Sequence, residues 1–384
     1  MPLLGDILRI MPVTHPTPLT PKGHDRALSR VLLAAERMID AVQAPPPLPV
    51  APRRLVVLKS CCLGDVLEAT PLIGVLRRAY PDARLVAGVG RWSRPVLDNN
   101  PDLDGLLDLE DVGVGRPHAA AYARVARRLR AGRFDTALVL DRTPLLTMLP
   151  LLAGIPVRAG IDSAGRGFPL NIRVPWTAVE QEAALFLRVG QALGAPIEGA
   201  HLTFAPTPDD DVSVARLWSA AGLKGERVVV LAPGGGQNPG MTFHAKRWPP
   251  ARYAALADRL HEERGLRVVL AGSRDDAAVA DEVRRLARAP VVDLAGRTDG
   301  FGALGALFAR CALFVGNDSG PMHLAAAVGT PVVAIFGPTD PAVYTPFSPR
   351  VVALRGSREE GAAEVGVDEA FAAAARLLIE VSRA

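Results

Sequence analysis

The sequence predicts an α/β protein built as two Rossmann-like halves, each a parallel sheet with helices on both faces. Three observations carry that expectation. Short apolar runs alternate with helical patterns from Arg53 onward, and the alternation starts again after Pro206; such alternation yields parallel sheets covered on both sides. Each half opens in the same way, with an apolar run, a glycine-containing turn and a helix: Leu55–Leu58 before Lys59–Asp65, then Arg227–Leu231 before Pro233-Gly-Gly-Gly236. A chain of 384 residues also exceeds one ordinary core. The first opening turn has one glycine where the dinucleotide fingerprint needs three, and neither half carries the complete motif. The expectation is a two-lobed enzyme with its site between the lobes.

Taken in order, residues 1–52 form an N-terminal extension. Leu28, Val31, Leu32, Met38, Ile39 and Val42 share one helical face over His24–Gln43, and a proline-rich linker follows over 44–52. This helix is expected to pack on the body, because its polar face is not strongly basic. The first half, 53–205, reads as strand Leu55–Leu58, then a helix carrying Val66, Leu67, Leu72, Ile73, Val75 and Leu76. Strand Ala83–Val89, a helix and turn over Ser93–Asn100, strand Leu106–Leu109, helix His118–Ala131 and strand Thr136–Leu140 come next. The apolar segment Leu145–Ala153, the stretch Pro156–Ile161 and helix Ala178–Leu193 complete the half. Pro206-Thr-Pro-Asp-Asp-Asp211 reads as an interdomain boundary. The second half, 206–384, runs through strand Arg227–Leu231, helix Pro250–Glu263, strand Leu266–Ala271, helix Ala277–Ala289, strand Val291–Asp293 and helix Phe301–Arg310. Strand Ala312–Val315, helix Met322–Val328 and strand Val332–Phe336 follow.

Composition removes several function classes. At 49% hydrophobic and 22% charged residues the chain is globular. The net charge is +4, yet only Lys22, Lys59, Lys224 and Lys246 are lysines. No basic run with interleaved aromatics is present, so nucleic acid is not an expected partner. The longest apolar run, Thr143–Val157, is too short to span a bilayer and contains three prolines. With no secretory pattern at Met1–Met11, the expected location is the cytoplasm, compatible with peripheral contact at the inner membrane face. Cys61, Cys62 and Cys311 give neither a disulfide framework nor a metal-ligand spacing. Adjacency argues against a bridge between Cys61 and Cys62.

The densest chemistry lies in Phe314–Tyr344. Strand, turn Gly316-Asn-Asp-Ser-Gly320, Pro321 and helix form a strand–helix–strand unit with polar loops at the strand ends. Pro321 begins a helix without needing its N–H, and free amides with the helix dipole suit an anion, above all a phosphate. Asp65 stands at a helix start near the sheet's carboxyl edge. Position alone leaves two readings open, a dipole-favoured carboxylate and a general base in a cleft.

Three stretches resemble glycosyltransferase family 9, the heptosyltransferases of lipopolysaccharide core assembly. They are Lys59-Ser-Cys-Cys-Leu-Gly-Asp-Val-Leu-Glu-Ala-Thr-Pro71, Pro233-Gly-Gly-Gly with Lys246-Arg-Trp-Pro249, and Asn317–Ala327 continuing through Gly329-Thr-Pro331 to Phe336-Gly-Pro-Thr-Asp-Pro341. The resemblance implies a GT-B fold, two Rossmann-like domains facing each other across a cleft, and inverting transfer from a nucleotide-activated sugar, typically ADP-heptose, to a glycan or glycolipid acceptor. It implies no cofactor and no metal, and the expected state is a monomer. By the family's motif, Asp65 is the general base, Lys246 meets the donor diphosphate with Thr242 nearby, and Asp318, Ser319, Gly320, Pro321, Met322 and His323 form the loop on the diphosphate and sugar. Where many relatives carry a ribose-binding glutamate, this chain has Gly272-Ser-Arg-Asp-Asp276, and Asp275 takes that place. His323 is the rival base, with a donor-orienting role preferred. A GT-B epimerase or hydrolase, and a nucleotide-sugar-binding protein without transfer activity, are the alternatives.

Overall fold

The computed structural model describes residues 23–41, 46, 51–114, 118–238, 241–357 and 361–381, without the side chains of 23–28, 237, 238, 241, 242, 380 and 381. The chain divides into two compact units, 1–201 and 202–384. Most of the expected 44–52 linker lies outside the described residues.

The first unit begins with α1 (Gly23–Asp40). It packs on its own unit: Leu32 is buried, and Arg173 clasps the Asp40 carboxylate at 2.9 and 3.0 Å and Glu36 at 3.3 Å. The elements that follow are β1 (Arg54–Lys59), α2 (Leu63–Glu68), α3 (Thr70–Ala79), β2 (Arg84–Val89), β3 (Gly105–Asp108), α4 (Ala119–Ala131), β4 (Thr136–Val139), α5 (Pro144–Leu152), β5 (Val157–Asp162), β6 (Ile172–Pro175) and α6 (Glu182–Ala192). The single helix expected after Asp65 is broken at Ala69, where the Thr70 hydroxyl donates to the Leu67 carbonyl at 2.7 Å and Pro71 opens the next helix.

The second unit contains α7 (Pro208–Ala220), β7 (Val228–Ala232), the short antiparallel pair β8 (Gln237–Asn238) and β9 (Met241–Thr242), α8 (Pro250–Arg264), β10 (Arg267–Leu270), α9 (Ala277–Leu286), β11 (Val291–Asp293) and α10 (Gly300–Ala309). It ends with β12 (Leu313–Asn317), α11 (Gly320–Ala327), β13 (Val332–Phe336), α12 (Pro341–Tyr344), β14 (Val351–Arg355) and α13 (Val367–Val381). Pro206–Asp211 does not run as a linker: Thr207 and Asp210 form a reciprocal capping box that starts α7, with Pro208 in its first turn. The division between the units falls a few residues earlier, at His201/Leu202.

Both sheets are parallel, ordered β3-β2-β1-β4-β5-β6 and β11-β10-β7-β12-β13-β14. These are the same doubly wound order, in which the connection reverses direction between β1 and β4 and again between β7 and β12. Ligands bind outside the carboxyl ends of strands at such reversals. The central strands are apolar and buried along their length, as expected for strands covered on both faces: Leu55–Lys59, Val228–Ala232 and Leu313–Asn317 have no exposed residue. In the second unit the core extends to Trp248 and Tyr253, packed edge to face at 4.9 Å.

Candidate active site

In the first unit, β1 delivers Lys59 and β4 delivers Asp141 to the same end of the sheet, side by side at the reversal point. Lys59 Nζ lies 3.0 Å from Asp65 Oδ2 and 3.5 Å from Asp141 Oδ1. The second Asp141 oxygen accepts from the Ser60 amide at 2.7 Å. Asp65 stands in the first turn of α2 with its side chain 35% exposed, whereas Lys59 is buried. Burial alone would lower the lysine's pKa, but the charges of Asp65, Asp141 and Glu182 outweigh it and hold the ammonium above the ordinary lysine value. Glu182, the first residue of α6, is also buried. Burial first, and the Asp65 charge second, push its carboxyl up to about 7, against opposition from Lys59 and Arg142. Arg142 reaches Glu182 at 3.8 Å and lies over the Trp176 ring at 4.0 Å.

Cys61 and Cys62 precede α2 and are joined by a disulfide across a cis peptide bond, with Cα atoms 3.1 Å apart. The expectation that adjacency prevents pairing is corrected. A trans peptide holds neighbouring Cα atoms about 3.8 Å apart, and the cis form brings them closer.

In the second unit the reversal point is built from the turn after β7 and the turn after β12, tied together by Asn317. Its carboxamide oxygen accepts from the Trp248 amide at 2.9 Å and the Tyr253 hydroxyl at 3.0 Å. Its nitrogen donates to the Pro233 and Gly234 carbonyls at 3.0 and 2.8 Å. The glycine run allows this closeness. Gly235 and Gly236 have φ of +89° and +73°, a region L side chains rarely occupy, and a Cβ on Gly235 would meet Ser319 Cβ at 2.6 Å. Asp276 clamps the run from the side, accepting from the Gly235 amide at 3.1 Å and the Ser273 hydroxyl at 2.7 Å.

Lys246, on the short helical turn after β9, reaches across to this point. Its Nζ lies 2.6 Å from Asp318 Oδ2, which also accepts from the Thr339 hydroxyl at 2.6 Å. Lysine, aspartate and threonine from three separate loops therefore converge beside the start of α11. Ser319 is the residue before that helix, and its hydroxyl donates to the Asn317 carbonyl at 3.1 Å rather than capping an amide. The turn offers an anion fewer amides than the sequence pattern suggests. The Asp318 amide donates to Ile335 O, Pro321 has no N–H, and the Met322 amide turns back on Ser319 O. The ammonium of Lys246 supplies positive charge where those amides are engaged.

The other expected residues divide by burial. Gly320 and Pro321 are partly exposed at the helix start, while His323 and the Met322 side chain are buried in α11. Asp275 is exposed in the short helical turn Arg274–Asp276 after β10, and its neighbour Asp276 makes the structural contacts. Thr242 lies in β9 with its side chain outside the described residues. Sequence reasoning missed the Lys59–Asp141 contact, Glu182, the Asn317 hub and Thr339. The position of Asp141 directly after a central strand was the available signal for the first. Nothing local marks Glu182, which depends on how α6 packs.

A family profile described as "Glycosyltransferase family 9 (heptosyltransferase)" matches residues 122–372. The chain is 30% identical over 313 residues to lipopolysaccharide heptosyltransferase 3 of Escherichia coli K12, covering 75% of this chain and 84% of that protein. It is 29% identical to lipooligosaccharide heptosyltransferase 2 of Haemophilus influenzae, covering 78% and 88%. Among solved structures, E. coli ADP-heptose lps heptosyltransferase II superimposes with a TM-score of 0.68 at 26% identity, covering 86% of this chain and 99% of that one. A glycosyl transferase family 9 protein from Veillonella parvula superimposes with a TM-score of 0.73 at 23% identity, covering 85% and 97%. With its two parallel six-stranded sheets, the fold is GT-B.

Proposed function

This chain belongs to glycosyltransferase family 9 and is a glycosyltransferase, and from that premise we propose that it transfers a heptose-like sugar, with inversion, from ADP-heptose to a glycolipid acceptor of the lipopolysaccharide core type. The observation that carries the reading is the pair of charged clusters at the reversal points, Lys59–Asp65–Asp141 in one sheet and Lys246–Asp318–Thr339 in the other. Relatives support the donor and acceptor classes: one is an ADP-heptose lps heptosyltransferase, another a lipopolysaccharide heptosyltransferase.

Inverting transfer needs a base on the acceptor hydroxyl and charge stabilisation on the leaving diphosphate. Asp65 accepts the hydroxyl proton as the acceptor oxygen attacks the anomeric carbon. The bond from that carbon to the diphosphate oxygen breaks on the opposite face, and the electron pair leaves with the nucleoside diphosphate. Lys246 and the start of α11 meet the negative charge that collects there. Asp318 and Thr339 then face sugar hydroxyls, and Asp275 the ribose. Work in the cytoplasm, as a monomer touching the inner membrane face, fits a lipid-linked acceptor. No helix among the described residues is long and apolar enough to cross a membrane.

The test is Asp65→Asn assayed with ADP-heptose and a truncated core acceptor. Transfer falls by about 100-fold or more, the scale of general-base catalysis, while donor affinity stays within a few-fold. Wild-type turnover in this variant would sink the assignment.

A further inference from the structure

Lys59 is a buried cation that the proposed chemistry leaves without a task. Desolvating an ammonium costs several kcal/mol unless it is paired, and three features hold this one in place. Its Nζ bridges Asp65 at 3.0 Å and Asp141 at 3.5 Å, Asp141 is itself fixed by the Ser60 amide, and the Phe186 ring of α6 lies 5.9 Å away. The two carboxylates it bridges differ. Asp141 is nearly buried, at 11% side-chain exposure, and Asp65 is open to solvent at 35%. Lys59 therefore has a fixed partner behind it and an accessible partner in front.

We infer that Lys59 is a positioning residue for transfer: anchored by Asp141, its ammonium holds one oxygen of Asp65 and thereby aims the other at the acceptor hydroxyl. This rests on the reading of Asp65 as the base. A half-exposed aspartate on the first turn of a helix has more than one staggered rotamer open to it, and a misplacement of about 1 Å at a reacting group costs about 100-fold in rate. The remaining charged groups around the pair are Glu182 on α6, Arg142 beside it, and Glu68 on α2, which is buried and accepts from Gln181 Nε2 at 2.7 Å. A loss of aim lowers kcat at unchanged donor KM, and only while Asp65 is present to be aimed.

The experiment measures kcat and donor KM for Lys59→Met, Lys59→Arg and the charge-balanced double variant Lys59→Met/Asp141→Asn, beside Asp65→Asn and Lys59→Met/Asp65→Asn. For Lys59→Met, kcat falls about 10- to 100-fold and donor KM stays within about twofold. Lys59→Arg keeps the charge and part of the contact, so it recovers part of that loss. Because Lys59 acts through Asp65, adding Lys59→Met to Asp65→Asn lowers kcat no further, whereas a merely structural residue would add its own loss. If Lys59→Met fails to fold, the double variant with Asp141→Asn, which removes one charge of each sign, shows the same fall in kcat at unchanged donor KM. Wild-type kinetics in a Lys59→Met protein, or a further loss when Lys59→Met is added to Asp65→Asn, overturns the inference and leaves Lys59 a packing residue. An active Asp65→Asn protein would instead overturn the base assignment, and the inference with it.

Discussion

Replacing Glu182 by glutamine should stabilise the protein at neutral and alkaline pH and do little in acid. The carboxyl is buried at the start of α6, and its pKa is raised from the ordinary 4.5 to about 7. Below about pH 4.5 the group is protonated in both the folded and unfolded chains, and no stability difference arises. Between about 4.5 and 7 the folded protein keeps a proton that the unfolded chain has released, so stability falls as pH rises. Above about 7 the carboxylate is ionised in both states and the full penalty is in force. At about 1.4 kcal/mol per pH unit, the penalty is about 3 kcal/mol.

Glutamine keeps the shape and the hydrogen-bonding capacity without the ionisation. Lys59 retains Asp65 and Asp141, so the substitution does not strand its charge. Glu36 and Glu180 are also raised by burial, but they are common to both proteins and cancel in the comparison. About 2.5 kcal/mol of that penalty develops between pH 5 and pH 8, so the melting temperature of Glu182→Gln minus that of wild type should grow over this range by about 5–10 °C, at about 2–4 °C per kcal/mol for units of this size. Because the Asp65 charge is the second cause of the raised pKa, the growth should shrink in an Asp65→Asn background. A difference that is flat from pH 5 to pH 8, or a variant less stable than wild type at pH 8, would refute the reasoning.

Two further substitutions test the second unit. Lys246→Ala should weaken binding of the nucleotide-sugar by about 1–3 kcal/mol, the scale of a charge-assisted hydrogen bond; isothermal calorimetry measures it, and unchanged affinity counts against the donor-side role. Asn317→Ala removes four buried hydrogen bonds at once and leaves their partners unsatisfied, so urea unfolding should show a loss of about 3 kcal/mol or more, whereas a loss under about 1 kcal/mol would mean the hub is dispensable.

The strands of both units were legible because a strand covered on two faces is apolar at every position, and Val228–Ala232 and Val332–Phe336 read that way in one dimension. Elements at the edges were not. β6 and β14 are short or partly exposed, and α7 hid behind Pro-Asp-Asp-Asp, a composition shared by linkers and by helix starts. The capping box at Thr207 and Asp210 is what separates the two. In the second unit the motif Asn317–His323 located the turn, but the task of Asn317 was invisible because its four partners come from residues 233, 234, 248 and 253. In the first unit Asp65 stood out by its place on a helix, whereas nothing in the motif singled out Lys59. Its meaning depends on Asp141, which only the pairing of β1 with β4 brings near.

Two lysines, of four among forty-four Lys and Arg residues, each meet an aspartate at the reversal point of their own unit, and their surroundings differ. Lys59, at the end of β1, is gripped by two carboxylates, so releasing Asp65 still leaves it paired with Asp141; it is built to stay. Lys246, on the turn after β9, has one carboxylate partner among the described residues, Asp318, beside the Phe243 and Tyr344 rings, and that carboxylate has an alternative in the Thr339 hydroxyl. When a diphosphate approaches, the ammonium can exchange Asp318 for phosphate oxygens while Thr339 continues to satisfy the aspartate, so neither group is left buried and unpaired. A compact ammonium with three rotatable donors can make that exchange about one point, which a planar guanidinium fork does less readily. Fixed in one unit and exchangeable in the other, the two pairs suit the proposed transfer, which asks for a base that keeps its aim and a cation that takes up charge as it appears.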